Sequence, residues 1–282
     1  MATPTTIAHD APGAAQTSPL VMRILGACAL AHLVNDLIQA VLPSIYPMLK
    51  ASYGLTFTQV GLITLTFQVT ASLLQPWIGF YTDRHPKPLL LPAGMVCTLI
   101  GIMLLSMVGS FPMILLASAL IGIGSSTFHP ETSRVARLAS GGRFGLAQST
   151  FQVGGNTGSA FGPLLAAAIV IPFGQGHVAW FGLIAVFAVA LLYAISRWYR
   201  GHLNQFKARA GQSASHGLSK GRVKAALVVL ALLVFSKYFY MASFTSYFTF
   251  YLIDKFQLTV ASSQLHLFMF LAAVAAGTFF GG

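Results

Sequence analysis

Charge is what this sequence has least of. Only 7% of its 282 residues are Asp, Glu, Lys or Arg, five of them acidic, against roughly 25% in an average soluble domain. So few solvated side chains cannot cover a water-facing surface, and with 56% hydrophobic residues the chain reads as an all-α membrane protein. Cysteine is scarce as well. Cys28 and Cys97 both fall within apolar stretches, which excludes an extracellular disulfide framework; neither has metal-ligand spacing, and both read as packing residues. The first 20 residues, MATPTTIAHDAPGAAQTSPL, lack the basic start and hydrophobic core of a secretory signal. Residues 1–21 are expected to be a disordered cytoplasmic tail.

Apolar stretches of the roughly 20 residues that cross a bilayer are plentiful. They run over 22–48, 57–80, 89–108, 112–133, 145–172, 178–197, 225–252 and 260–282, which makes eight spans. The net charge of +11 is explained by where its 16 basic residues fall. Arg23, Arg84, Lys87, Arg134, Arg137, Arg143 and seven residues from Arg197 to Lys224 lie on one side of the membrane, against Lys50 and Lys255 on the other. By the positive-inside rule the amino terminus and the long polar segment 198–224 are cytoplasmic, and no nucleic acid is needed to account for the charge. That segment divides a six-helix domain, 22–197, from 225–282, the start of a second membrane domain that reads as truncated. A weak internal repeat, offset by 203 positions, aligns Leu55 with Leu258 and places Lys237 opposite Val34. Lys237, the lone basic residue within a span, is therefore expected level with His32, Asn35 and Asp36.

Those three interrupt an apolar run in AHLVNDLIQ. His32 and Asp36 are four apart on one helical face. At 1.5 Å per residue Asp36 lies roughly 20 Å in from Arg23, where an ionised carboxylate costs about 2.5 kcal/mol or more. It reads as a proton carrier, or as half of a polar pair that fixes packing. Lys237 reads as the binder of an anion, or as a standing salt bridge to Asp36. His129 and Glu131 flank Pro130; Glu131 is three residues from Arg134, which fits a surface pair as well as a coupling role. Gln68 and Gln75 share a face, and with Gln264 and His266 read first as helix–helix hydrogen bonds. Tyr238 is placed to donate to a substrate. In span five Gly154, Gly158 and Gly162 precede Pro163 in a stripe for close packing, opposite a polar stripe of Gln148, Gln152 and Asn156. His32 and Asp36 have no third ligand at helical spacing, and no nucleophile–base pair accompanies them. No metal site, cofactor or enzyme activity is expected.

GFYTDRHPK, Gly79 to Lys87, resembles the signature between helices two and three of the major facilitator superfamily, with Pro86 where that family usually has glycine. GGNTGSAFGP in span five resembles the antiporter motif of its exporters. HLVND, LLQP, FHPETSRVARLASGGR, FQVGGN, FSKYFYMAS and QLHLF extend the likeness, from Ile24 to Gly282, to the drug exporters of that superfamily. The resemblance implies twelve helices, so the eight here would be a complete amino-terminal bundle and the first two of a second. It gives Gly79, Asp83 and Arg84, with Gly154, Gly158, Gly162 and Pro163, packing and gating roles. Ser118 stands where proton antiporters of the superfamily carry an arginine, which shifts proton coupling onto Asp36, Glu131, His129 and His32. Substrate contacts would come from Lys237, Asn35, Tyr238, Gln68, Gln152 and Asn156. The implied function is efflux of a small anionic drug, a fosmidomycin-like phosphonate, by alternating access across a bacterial inner membrane, with the proton gradient as energy source. The open alternatives are uptake or exchange of another small organic anion such as a sugar phosphate, and an inactive truncated transporter.

Overall fold

The computed structural model describes residues 20–203 and 219–281; nearly all of the expected tail and the middle of the linker lie outside them. Among the described residues eight helices are long and apolar enough to cross a membrane: Met22–Tyr53, Phe57–Arg84, Leu90–Met107, Phe111–Ala139, Phe144–Phe173, Gln175–Gly201, Lys220–Phe256 and Val260–Phe280, here spans one to eight. Spans four, six and seven outrun the apolar stretches that mark them. A helix satisfies its own backbone hydrogen bonds, so it continues through Arg134, Arg137, Arg200 and Lys220 beyond the apolar stretch.

Local chemistry bends two helices near the centre. Span one breaks at Ile45, between Pro43 and Pro47, because each proline lacks the N–H its turn would use. Gly54 then closes it at φ 61°, and Thr56 opens span two with a reciprocal cap to Gln59. Span two widens into a π turn over Val69–Leu73, between Gln68 and Gln75.

Spans one to six form one bundle, its core running from Leu25 and Ile38 through Tyr46, Ile102, Ile121 and Phe181 to Tyr199. Lipid tails are as apolar as leucine, so backbone approach rather than hydrophobicity draws such helices together. Span five shows this against span one. Side chains added at Gly154, Gly158 and Gly162 would overlap the backbone of Ala29 and Leu33 and the methyl group of Ala40, so the expected stripe is a contact surface for span one. Span eight packs on the other side of span five, where Asn156 Nδ2 donates to Thr278 Oγ1 at 2.8 Å. Span seven touches the bundle only through its second half. Ser246, Thr249 and Leu252 are buried, whereas residues 220–240 are all exposed.

Gly158→Val is expected to overpack the contact with span one and destabilise the bundle by about 1–3 kcal/mol or more. Thermal unfolding of the purified protein in detergent reads this directly; an unchanged midpoint would show that the two helices are not held at backbone distance.

Candidate functional site

A cavity of about 670 Å³ lies between spans one, two, four, five and seven. The polar groups of span one on its wall are held from neighbouring helices. His32 Nδ1 donates to the Phe151 carbonyl oxygen at 2.7 Å, and its ring stacks on the Phe151 ring at 4.0 Å. A carbonyl only accepts, so neutral His32 carries its proton on Nδ1 and turns the Nε2 lone pair toward Asp36 Oδ2, 3.3 Å away. His129 brings Nε2 to 3.9 Å from Asp36 Oδ1, and Asn35 Nδ2 donates to that oxygen at 3.0 Å. Two imidazoles thus bracket one carboxylate. The neutral His32 lone pair facing the carboxylate repels it, and the contact becomes favourable when that nitrogen gains a proton.

This triad corrects one expectation. The third group missing at helical spacing comes from span four, and the donor atoms of His32, Asp36 and His129 all lie within 4.8 Å of one another. That spacing and ligand set suit a divalent transition metal as well as protons. Gly155 is also part of the arrangement: a Cβ there would run into the His32 ring and approach Asp36 Oδ2 to 2.8 Å. Its missing side chain is the space the triad occupies.

The remaining candidates divide. Gln68, Gln75, Gln148, Gln152 and Tyr238 line the cavity, so the π turn between the two glutamines of span two does not turn either away. Asn35 is fully buried behind Asp36, and Asn156 bridges Gln152 to Thr278; neither is on the wall. Lys237 departs from its expected place. No ion pair joins it to Asp36 among the described residues; it lines an adjacent open niche with Gly145, Ser149, Gly277 and Thr278. Gln148 and Gln152 border both spaces. Span seven presents Tyr238 to the cavity and Lys237, one residue and about 100° round the helix, to the niche.

Gln39, Tyr46, Thr64 and Ser125 belong to the wall too. The sequence held one signal for them, since Gln39 follows His32 and Asp36 on the same face at i+7 and i+3. At one end Tyr46 bonds Thr64 at 2.9 Å, Thr64 reaches Ser246 at 3.4 Å, and Gln264 donates to the Ser44 carbonyl oxygen at 2.5 Å beside the proline break. These contacts close that end between spans one, two, seven and eight.

The other end carries the ions. Arg134 pairs with Glu131 one turn before it and with Asp83 of span two at 2.5 Å, and it donates to Thr82 Oγ1 at 3.1 Å. Glu131 is 0% exposed and Arg134 9%, so the expected surface pair is instead buried, because the end of span two folds over it. Gly79 sits against Pro130, and Arg84 lies over the Phe80 ring. Ser118 is buried and bonds only its own helix at Ile114.

The family model of the Major Facilitator Superfamily matches residues 28–282. The chain belongs to the major facilitator superfamily. It is 56% identical over 259 residues to the fosmidomycin resistance protein of Escherichia coli K12, covering 92% of this chain and 64% of that protein. It is 40% identical over 265 residues to YfnC, an uncharacterized MFS-type transporter of Bacillus subtilis, covering 93% of this chain and 64% of the other. The chain therefore spans about two thirds of the length of these relatives. Its fold resembles a crystal structure of a bacterial homolog of the human lysosomal transporter Spinster in an inward-facing, occupied conformation. The TM-score is 0.69 at 15% identity, over 94% of this chain and 61% of that one. Superfamily membership accounts for the all-helical bundle.

Arg134→Ala strands Glu131 as a buried, unpaired charge, and a loss of about 3–5 kcal/mol is expected. Glu131→Gln on top of it should recover most of that loss. Thermal melts of the single and double variants provide the cycle, and additive losses would mean that the pair is not coupled.

Proposed function

We propose that this protein exports a small anionic drug, a fosmidomycin-like phosphonate, in exchange for protons by alternating access across a bacterial inner membrane, with its amino terminus in the cytoplasm. The observation that carries the reading is the His32–Asp36–His129 triad on the wall of a cavity large enough for a small molecule. The 56% identity to a fosmidomycin resistance protein supports the choice of substrate. Similarity to superfamily transporters supports a carrier rather than an enzyme. No cofactor enters; the proton gradient is the energy source.

The groups have separable tasks. Asp36 holds the coupling proton, shared with whichever imidazole has gained one. Among the described residues every charged or titratable group facing it comes from two helices, His32 on its own and His129 on span four, while span five offers Phe151 and Gly155. The substrate's anionic group is drawn past Gln148 and Gln152 toward Lys237, which has no fixed acid beside it among the described residues. Exchange follows if the proton-loaded triad and the anion-loaded niche stabilise opposite-facing states, since a ligand shifts the equilibrium only by its differential affinity. The Glu131–Arg134–Asp83 cluster holds spans two and four together in the state described and has to loosen in the other.

A second reading has its own observation. Protons added to the triad make the cavity positive, and an anion lodged beside His129 would then travel with them, as in uptake of a small organic anion such as a sugar phosphate. Direction separates the two. In everted membrane vesicles containing the protein, exchange predicts fosmidomycin accumulation driven by an acidic lumen. Accumulation driven by the opposite gradient would favour co-transport, and none under either gradient would overturn both. Asp36→Asn should abolish gradient-driven accumulation while leaving counterflow of labelled against unlabelled substrate.

A further inference from the structure

Gln39 is a cavity-wall residue whose side-chain amide carries a buried donor with no hydrogen-bond partner among the described residues. Ser125 of span four donates its hydroxyl to Gln39 Oε1 at 3.2 Å, which engages the amide oxygen and leaves Nε2 as the group still to be satisfied. That Nε2 is shielded from solvent and has no hydrogen-bond partner among the described residues. A buried N–H without an acceptor is destabilising, and such groups are normally satisfied. Here the residue faces a cavity built for a ligand, so the missing partner is an acceptor atom of that ligand.

The surroundings define the acceptor. Asp36 is one turn away on the same helical face, and Tyr46 and Thr64, which close this end of the cavity, are neutral. A second anionic oxygen at Gln39 would face the Asp36 carboxylate at short range in a poorly screened space. A neutral carbonyl or hydroxyl oxygen would not. Lys237 stands with Gly145 near the opposite end, where span five begins after Arg143. We propose that Gln39 is a specificity-determining residue that donates to a neutral oxygen at the far end of the substrate from its anionic group. The substrates are then organic anions with charge at one end and an uncharged acceptor at the other, and simple inorganic anions are poor ligands. Ser125 is the positioning residue, because without its hydroxyl the amide is free to turn its oxygen toward the cavity.

This inference rests on the anion-transport reading, and the experiment separates the two. Alkylphosphonates and their ω-hydroxyl counterparts, over a series of chain lengths, compete against labelled fosmidomycin in vesicles containing wild-type protein, Gln39→Leu or Gln39→Glu. In wild type the best hydroxylated compound should inhibit about tenfold better than its alkyl partner, the ratio equivalent to 1.4 kcal/mol. In Gln39→Leu the gap should close because only the hydroxylated series loses affinity, which a merely structural role, weakening both series alike, would not produce. Gln39→Glu keeps the shape of the side chain and should raise KM for fosmidomycin with little change in the maximal rate. Ser125→Ala should narrow the gap partially. Equal inhibition by both series in wild type, or a gap that survives Gln39→Leu, overturns the assignment of Gln39 while transport stands. Failure of every phosphonate to compete overturns the anion-transport reading itself.

Discussion

Backbone contact between spans one and five is the constraint on which the rest of the molecule depends. Gly154, Gly158 and Gly162 let the helices approach until side chains would overlap Ala29, Leu33 and Ala40. Gly155 on the same helix then stands where the His32 ring and Asp36 need room. Packing and chemistry are therefore one requirement. A helix that could not come this close would carry Phe151 out of reach of His32, and the imidazole would lose both the carbonyl that fixes its tautomer and the ring it stacks on. The small residues are as much part of the polar site as the groups that hold protons.

Span four joins that site to the ionic cluster about one turn further along the helix. His129 and Glu131 flank Pro130, so the triad and the Arg134 pair sit within one turn of a residue that cannot donate a backbone hydrogen bond. His129 reaches Asp36 on span one, while Arg134 reaches Asp83 on span two. A tilt of span four changes both contacts together. This is a physical route by which protonation in the cavity can act on a closure at the surface, through one rigid element with two attachments.

The fold was largely legible because its signal is long and redundant. Every span is marked by about 20 apolar residues, and the glycine spacing in span five named a close contact before its partner was known. The helix ends were less legible, since charged residues at Arg137 and Lys220 mark the limit of the apolar core and not of the helix. The site was half legible. His32 and Asp36 lie on one helix, where spacing of four is visible, but His129 joins them through tertiary packing that no local period encodes. Glu131 looked like a surface residue because sequence spacing reveals a neighbour and not its burial. Gln39 was on the right face and was overlooked because an amide carries no charge to mark it inside an apolar run. Lys237 was marked by its charge, but the sequence did not reveal that it lines a separate niche with Gly145 and Thr278 instead of meeting Asp36.

The separation of Lys237 from Asp36 changes what coupling has to mean here. Had the two formed a standing salt bridge, an anion and a proton would have competed directly for its halves, and exchange would follow from local chemistry alone. On the proposed exchange, with Asp36 held between two imidazoles and Lys237 in a neighbouring niche, the proton and the anion would occupy different places and neither would displace the other. Coupling would then be conformational. The two ligands influence one another only by preferring different states of the helices between them, and that preference is reciprocal. Gln148 and Gln152 occupy the boundary of both spaces and extend from span five, the helix whose glycines hold span one. The element that connects the two sites is thus the same one that fixes the geometry of the triad, and a movement of span five against span one is felt at each.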